Sequence, residues 1–354
     1  MSVAKASVPV KMRLRERANP RCAAPSHRRA LSFNRIFTGT LALATLICGS
    51  LAYDNIMTFE GRFREHILPE QVHILNVSFL VPTMRREFGG CAGNIAYALH
   101  LLGGDARIMG TLGSVDAQLY LDRFKQLGLS TESVLVVPDT YSAQAMITTD
   151  LENNQITAFH PGAMMQSHLN RADQAKGITL GIVGPDGYDG MIQHSEHLAA
   201  AGVPFIFDPG QGLPLFDGDT LRRMIELATY VAVNDYEAKL VSNKTGWSVE
   251  EIAGKVEALI ITLGEQGAQI HHAGGVEDIP AVKAKQVLDP TGCGDAFRGG
   301  LLYGIENGLG WAITGRLASL MGALKIEQAG PQNYAPSRSE INERFKQAFG
   351  YSLP

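Results

Sequence analysis

Apolar residues in the second half of the chain come in short unbroken runs. Residues 178–183, 203–207, 230–233 and 258–262 are such runs, each bounded by polar or Gly/Pro turns. Segments 189–201 and 219–227, lying between them, place apolar residues at helical spacing. Apolar strands separated by helices predict a parallel sheet covered on both faces. Upstream, 43–48 predicts a first strand ending at Gly49-Ser50, 107–113 a strand and turn, and 116–127 a helix. Alternation over 72–81, and strand-like runs at 143–148 and 155–159, predict further strands. The last two are joined by a polar hairpin loop at 150–154, and 311–327 is an apolar helix.

Ligands in such sheets sit at the carboxyl ends of the strands. The chain's glycine-rich motifs all fall at those ends or at the start of the next helix. In 287–305, VLDPTGCGDAFRGGLLYGI, an apolar approach reaches Asp289-Pro290 and a turn follows through Thr291, Gly292, Cys293 and Gly294. Asp295 then opens a helical run. The glycines let backbone N–H groups converge, and the helix N-terminus adds positive dipole, so the turn is a candidate anion hole. A carboxylate at its rim suits a general base that takes a proton from a hydroxyl attacking phosphorus. The alternative is a plain glycine turn with Asp295 complementing the first helical turn. Cys293 also stands at this helix start, where the dipole should lower a thiol pKa. In 88–104, Gly89-Gly90 is a turn, Asn94 lies in the first turns of a helix, and Gly103-Gly104 closes it. Asn94 can donate to and accept from a diol.

DPTGCGDAF resembles the C-terminal signature D-T-x-G-A-G-D of the PfkB carbohydrate kinases, the ribokinase family. Pro290 replaces the common Thr and Cys293 the common Ala. FGGCAGN resembles the family's N-terminal G-G-x-x-x-N. The resemblance covers about 43–340 and implies a ribokinase-like α/β fold: a central, mostly parallel sheet with helices on both faces, plus a small β-lid from about 54–88 and 140–163. It implies transfer of the ATP γ-phosphoryl to a primary hydroxyl, with Asp295 as base and the N–H groups of Gly292, Cys293 and Gly294 as the anion hole. Asp54, Gly89, Gly90 and Asn94 would hold substrate hydroxyls, and Phe159 could stack on a base. Asn234-x-x-Glu237 resembles the family's N-x-x-E, tied to Mg²⁺ through water. Thr262-x-Gly264-x-x-Gly267 resembles its nucleotide loop, and AGPQNY at 329–334 should flank the adenine. Asp289 and the Thr291 carbonyl could hold a monovalent cation such as K⁺. FHPGAM, FDPGQ and AGPQNY look most like the adenosine or nucleoside kinase branch, which makes a nucleoside, adenosine above all, the expected substrate. A sugar kinase acting on ribose or fructose is the runner-up.

Composition separates the first 40 residues from the rest. They hold nine Lys/Arg and one acidic residue, a net of +8, leaving −12 on the remainder. Residues 1–40 are therefore expected to be a disordered basic extension, and 41–354 the kinase domain. The acidic body argues against a nucleic-acid partner. The apolar run 36–52 follows the basic stretch as a secretory signal would, and an exported, non-catalytic binding protein is the alternative from another class. Removal of that run would delete the first strand. It is also too short and too broken by Thr and Gly to be read as a membrane span. Four cysteines without metal spacing or disulfide density suit a reducing, cytoplasmic setting. The chain is expected to act as a monomer or homodimer.

Overall fold

The computed structural model describes residues 44–67 and 76–354. The basic extension expected over 1–40 and the first part of the alternating run 72–81 lie outside the described residues.

The first half supplies β1 (Ala44–Cys48), β2 (Ala52–Thr58), the short helix α1 (Phe63–His66), β3 (Thr83–Gly89), α2 (Cys91–Leu101), β4 (Asp105–Gly113), α3 (Ala117–Leu127), β5 (Val134–Val137), β6 (Ala143–Thr149) and β7 (Gln155–His160). The second half supplies β8 (Ile178–Val183), α4 (Tyr188–Ala200), β9 (Phe205–Phe207), α5 (Gly218–Leu227), β10 (Tyr230–Asn234), α6 (Asp235–Thr245), α7 (Val249–Ala253) and β11 (Ala258–Thr262). It ends with β12 (Ala268–His272), β13 (Gly275–Ile279), α8 (Cys293–Glu306), α9 (Trp311–Ile326) and α10 (Arg338–Phe349).

Nine strands form one sheet in the order β13-β12-β11-β10-β9-β8-β1-β4-β5. Its pairs are parallel from β5 through to β11. The β12–β13 hairpin adds two antiparallel strands at one edge. The parallel strands are apolar on both faces because both are covered. Ile47, Ile182 and Ile260 pack toward α2 and α8, while Leu46, Val183 and Leu259 pack toward α4, α5 and α6. The mostly parallel sheet expected from the strand–helix alternation is therefore present, with helices on both faces.

The second sheet, where the resemblance places a lid, has the order β3-β2-β6-β7. The strand that follows β2 and α1 along the chain does not fall on the described part of the alternating run over 72–81. Residues 76–81 are coil, and the strand is β3, TMRREFG. An edge strand paired on one side only carries charges such as Arg85, Arg86 and Glu87 instead of a buried apolar face, so it has no clean alternation to read. The antiparallel edge of the nine-stranded sheet, β12–β13, was likewise not read from sequence.

Candidate active site

The 289–292 turn leads into the N-terminus of α8, and the 328–330 loop packs against it. Gly292 is the residue before that helix and has φ +81°, a left-handed conformation suited to glycine. Its predecessor Asp289 is held by two backbone donors: Thr291 N–H at 2.9 Å and Gly330 N–H at 2.8 Å. The fully buried Lys325 Nζ donates to the Asp289 carbonyl at 2.7 Å and to the Gln328 carbonyl at 3.2 Å. Burial lowers the Lys325 pKa, and the Asp289 charge opposes that shift. Cys293 N–H donates to the Pro290 carbonyl at 3.1 Å and closes the turn. Among the described residues, Gly292 and Gly294 N–H groups find no acceptor in the protein. Two of the three expected anion-hole donors are thus free, and the third holds the loop's shape.

Asp295 lies in the first turn of α8. Its Oδ2 accepts from Asn94 Nδ2 at 2.8 Å, which joins the two glycine-rich motifs. Asn94 Oδ1 in turn accepts from Gln332 Nε2 at 3.1 Å, and Gln332 also donates to Tyr120 Oη at 3.0 Å. Tyr120 donates to the Gly89 carbonyl at 2.7 Å. This chain of bonds fixes which end of the Asn94 amide faces the carboxylate. Burial pushes the Asp295 pKa up to about 6, with the nearby Asp208 charge adding to it. Asp54, on β2, is pushed up to about 6 by burial and then by the charge of Asp295. Glycine is required beside it: a Cβ on Gly89 would come within 2.6 Å of Asp54 Oδ2. Gly90 has φ +84°, and a Cβ there would meet the Ser50 carbonyl at 2.5 Å.

Behind Asp295, Arg298 pairs with Asp208 through Nε–Oδ2 at 2.9 Å and Nη2–Oδ1 at 3.3 Å, both side chains buried. Asn234 and Thr262, expected to serve the nucleotide, stand at the ends of the adjacent strands β10 and β11. Asn234 and Glu237 form a capping box: Asn234 N–H donates to Glu237 Oε2 at 2.8 Å, and Glu237 N–H to Asn234 Oδ1 at 2.7 Å. Burial raises the Glu237 pKa, with the Asp208 charge adding to it. Thr262 ends β11, and Gly264 and Gly267 follow with φ +60° and +93°. Phe159 is 53% exposed on β7. The lid register aligns Asp54 with Ala145 and Ala145 with Phe159. Directly opposed residues share a sheet face, so Phe159 and Asp54 project from one side of the lid about 10 Å apart, two strand spacings.

Residues 58–338 match the family described as pfkB family carbohydrate kinase. The chain belongs to that family. It is an ATP-dependent phosphotransferase of the PfkB type, which sets aside the binding-protein alternative. A nucleoside kinase of Burkholderia thailandensis, solved in complex with inosine, is 76% identical. The match covers 87% of this chain and 99% of that one, with a TM-score of 0.80. The nucleoside kinase of Methanocaldococcus jannaschii is 28% identical over 276 residues, 77% of this chain and 89% of the relative. A ribokinase of Lactococcus lactis is 30% identical over 273 residues, 73% of this chain and 86% of the relative. No helix among the described residues is long and apolar enough to cross a membrane.

Within AGPQNY, the segment expected to flank the adenine, the Gln332 and Tyr334 side chains turn inward. Gln332 binds Asn94, and Tyr334 is buried edge-on against Tyr97, whose hydroxyl donates to the Tyr334 carbonyl at 2.6 Å. Burying Tyr334 fills the space between α2 and α9, where an exposed ring would leave a void. At the Cys293 thiol burial works against the lowering expected from the helix start. Burial pushes its pKa up to about 11, and the charges of Asp289 and Asp295 add to the effect. Sequence reasoning passed over Arg298, Lys325, Tyr120 and the inward role of Gln332.

Proposed function

We propose that the chain transfers the γ-phosphoryl of ATP to the 5′-hydroxyl of a purine nucleoside, adenosine above all. The observation that carries this is the Asn94–Asp295 contact, at the mouth of the α8 anion site and facing Asp54. Asp54 and Asn94 accept and donate to the ribose hydroxyls. The 5′-oxygen lies toward Asp295 Oδ1, because Oδ2 is already bonded to Asn94. As that oxygen attacks phosphorus, its proton passes to the Asp295 carboxylate. Gly292 and Gly294 N–H groups and the α8 dipole face the negative charge of the transferring phosphoryl. Thr262, Gly264 and Gly267 hold the nucleotide, and Phe159 stacks on the base from the lid. Mg²⁺ arriving with ATP would supply neutralisation of the phosphate charge. Glu237 is the carboxylate placed to meet its waters, since Oε1 has no protein donor among the described residues.

The nucleoside reading is supported by the Burkholderia thailandensis kinase at 76% identity, which is described with inosine bound. The Lactococcus lactis ribokinase at 30% identity keeps ribose as the second reading. Initial rates with adenosine, inosine, ribose and fructose, measured side by side, separate the two. Adenosine and inosine are expected to give the higher kcat/KM. A higher value for ribose or fructose would move the protein to the sugar kinases.

A further inference from the structure

A monovalent cation at Asp289 and Thr291 is what the family resemblance led us to expect, and the structure sets a protein cation against the same Asp289. Lys325 is 0% exposed and sits in the last turn of α9. Its Nζ lies on two backbone carbonyls, Asp289 at 2.7 Å and Gln328 at 3.2 Å, and 3.9 Å from Asp289 Oδ2. These oxygens come from two loops that Lys325 ties together. One is the 289–291 turn leading into the anion hole, and the other is 328–330, which returns Gly330 N–H to Asp289 Oδ2. Carbonyl oxygens that replace a hydration shell are what a potassium site offers. An ammonium group meets the same oxygens at hydrogen-bond distance.

We infer that Lys325 is a built-in replacement for the activating monovalent cation, which makes the enzyme independent of K⁺. The ammonium cannot share its two carbonyls with K⁺ without like-charge repulsion in a buried site. It also closes the α9 end of the loop permanently, so Asp289 and the turn before Gly292 are held before any substrate arrives. Lys325 is a positioning residue in this account: it touches no reacting atom and acts through the Asp289 carbonyl. The inference rests on the reading of 289–295 as the phosphoryl site only for its effect on rate. Its effect on the protein's stability in different salts does not need that reading.

The test compares wild type with Lys325→Ala in KCl, NH₄Cl and tetramethylammonium chloride at one ionic strength. Both initial rate and the melting temperature of the ligand-free protein are read. Wild type should show the same rate and melting temperature in all three salts. Lys325→Ala should lose about tenfold or more in rate in tetramethylammonium, the size expected when charge-assisted hydrogen bonds to buried carbonyls are removed. K⁺ or NH₄⁺ should restore much of that rate and raise the variant's melting temperature. Activation of wild type by K⁺ over tetramethylammonium would overturn the inference, and this comparison stands even if the variant does not fold. Full activity of the variant in tetramethylammonium would overturn it too. So would a loss that no cation restores in either readout, since that would reduce Lys325 to packing.

Discussion

Asn94 and Asp295 are 201 positions apart, and the Asn94 amide donates to Asp295 Oδ2 at 2.8 Å. The contact joins α2, on the proposed substrate side, to α8, on the proposed phosphate side. It holds one carboxylate oxygen and leaves the other to face a hydroxyl. Asp295→Asn keeps the size of the side chain and can still pair with Asn94, but it cannot take a proton. Turnover should fall by roughly 10²–10⁴, the usual share of general-base catalysis. ATP binding, measured by calorimetry on the same variant, should stay close to wild type. A near-normal kcat would remove Asp295 from the proposed role.

The acid side of the pH profile follows from the same residue. Burial pushes the Asp295 pKa up to about 6, and Asp54 is raised to about 6 beside it. Both groups must be ionised, Asp295 to accept a proton and Asp54 to accept substrate hydroxyls. Activity is therefore present above these values and lost as pH falls through them. The kcat/KM profile should show an acid limb near pH 6 that belongs to the pair and not to either residue alone. A limb near the ordinary carboxylate range, around pH 4, would mean that neither raised group controls the rate.

The parts legible in the sequence are those set by local rules. Gly90 and Gly292 read as turns because their backbone needs positive φ, and the apolar runs of β8, β10 and β11 read as strands because both sheet faces are covered. What was not legible depends on contacts between distant residues. Gln332 binds Asn94 across 238 positions, and Arg298 meets Asp208 across 90. Lys325 closes a helix, where a basic residue reads as an ordinary complement to the dipole. Nothing local says that its Nζ turns onto the Asp289 carbonyl. Asn234 and Glu237 carry the reverse lesson: the spacing was legible, and the structure gives it a capping geometry beside whatever it does for Mg²⁺.

Cys293 should be a quiet thiol. Its pKa is pushed up to about 11, so little thiolate exists at neutral pH. Its backbone N–H closes the turn and its side chain takes no strong partner, with Sγ 3.9 Å from the Asp289 carbonyl. Cys293→Ala should keep near wild-type activity. Alkylation by iodoacetamide, followed by mass spectrometry at pH 7, should be slow at this position. Fast, ATP-protected labelling of Cys293 would show that the anion site activates the thiol after all.

Arg298 is expected to act on both the stability and the charge of the site. It is the buried partner of Asp208 and lies one turn after Asp295 on α8. Arg298→Met would leave the Asp208 carboxylate buried without its cation. Breaking one side of such a pair destabilises by about 3–5 kcal/mol, which denaturant unfolding can measure. The Arg298 charge also favours ionised Asp295, while Asp208 opposes it. Without the guanidinium, Asp295 should bind its proton more tightly, so the acid limb of kcat/KM should move to higher pH. Arg298→Lys restores the charge without the two-pronged geometry. It should recover the position of the limb more fully than the stability. If the limb stays in place in both variants while stability falls, Arg298 holds the fold together and does not tune the base.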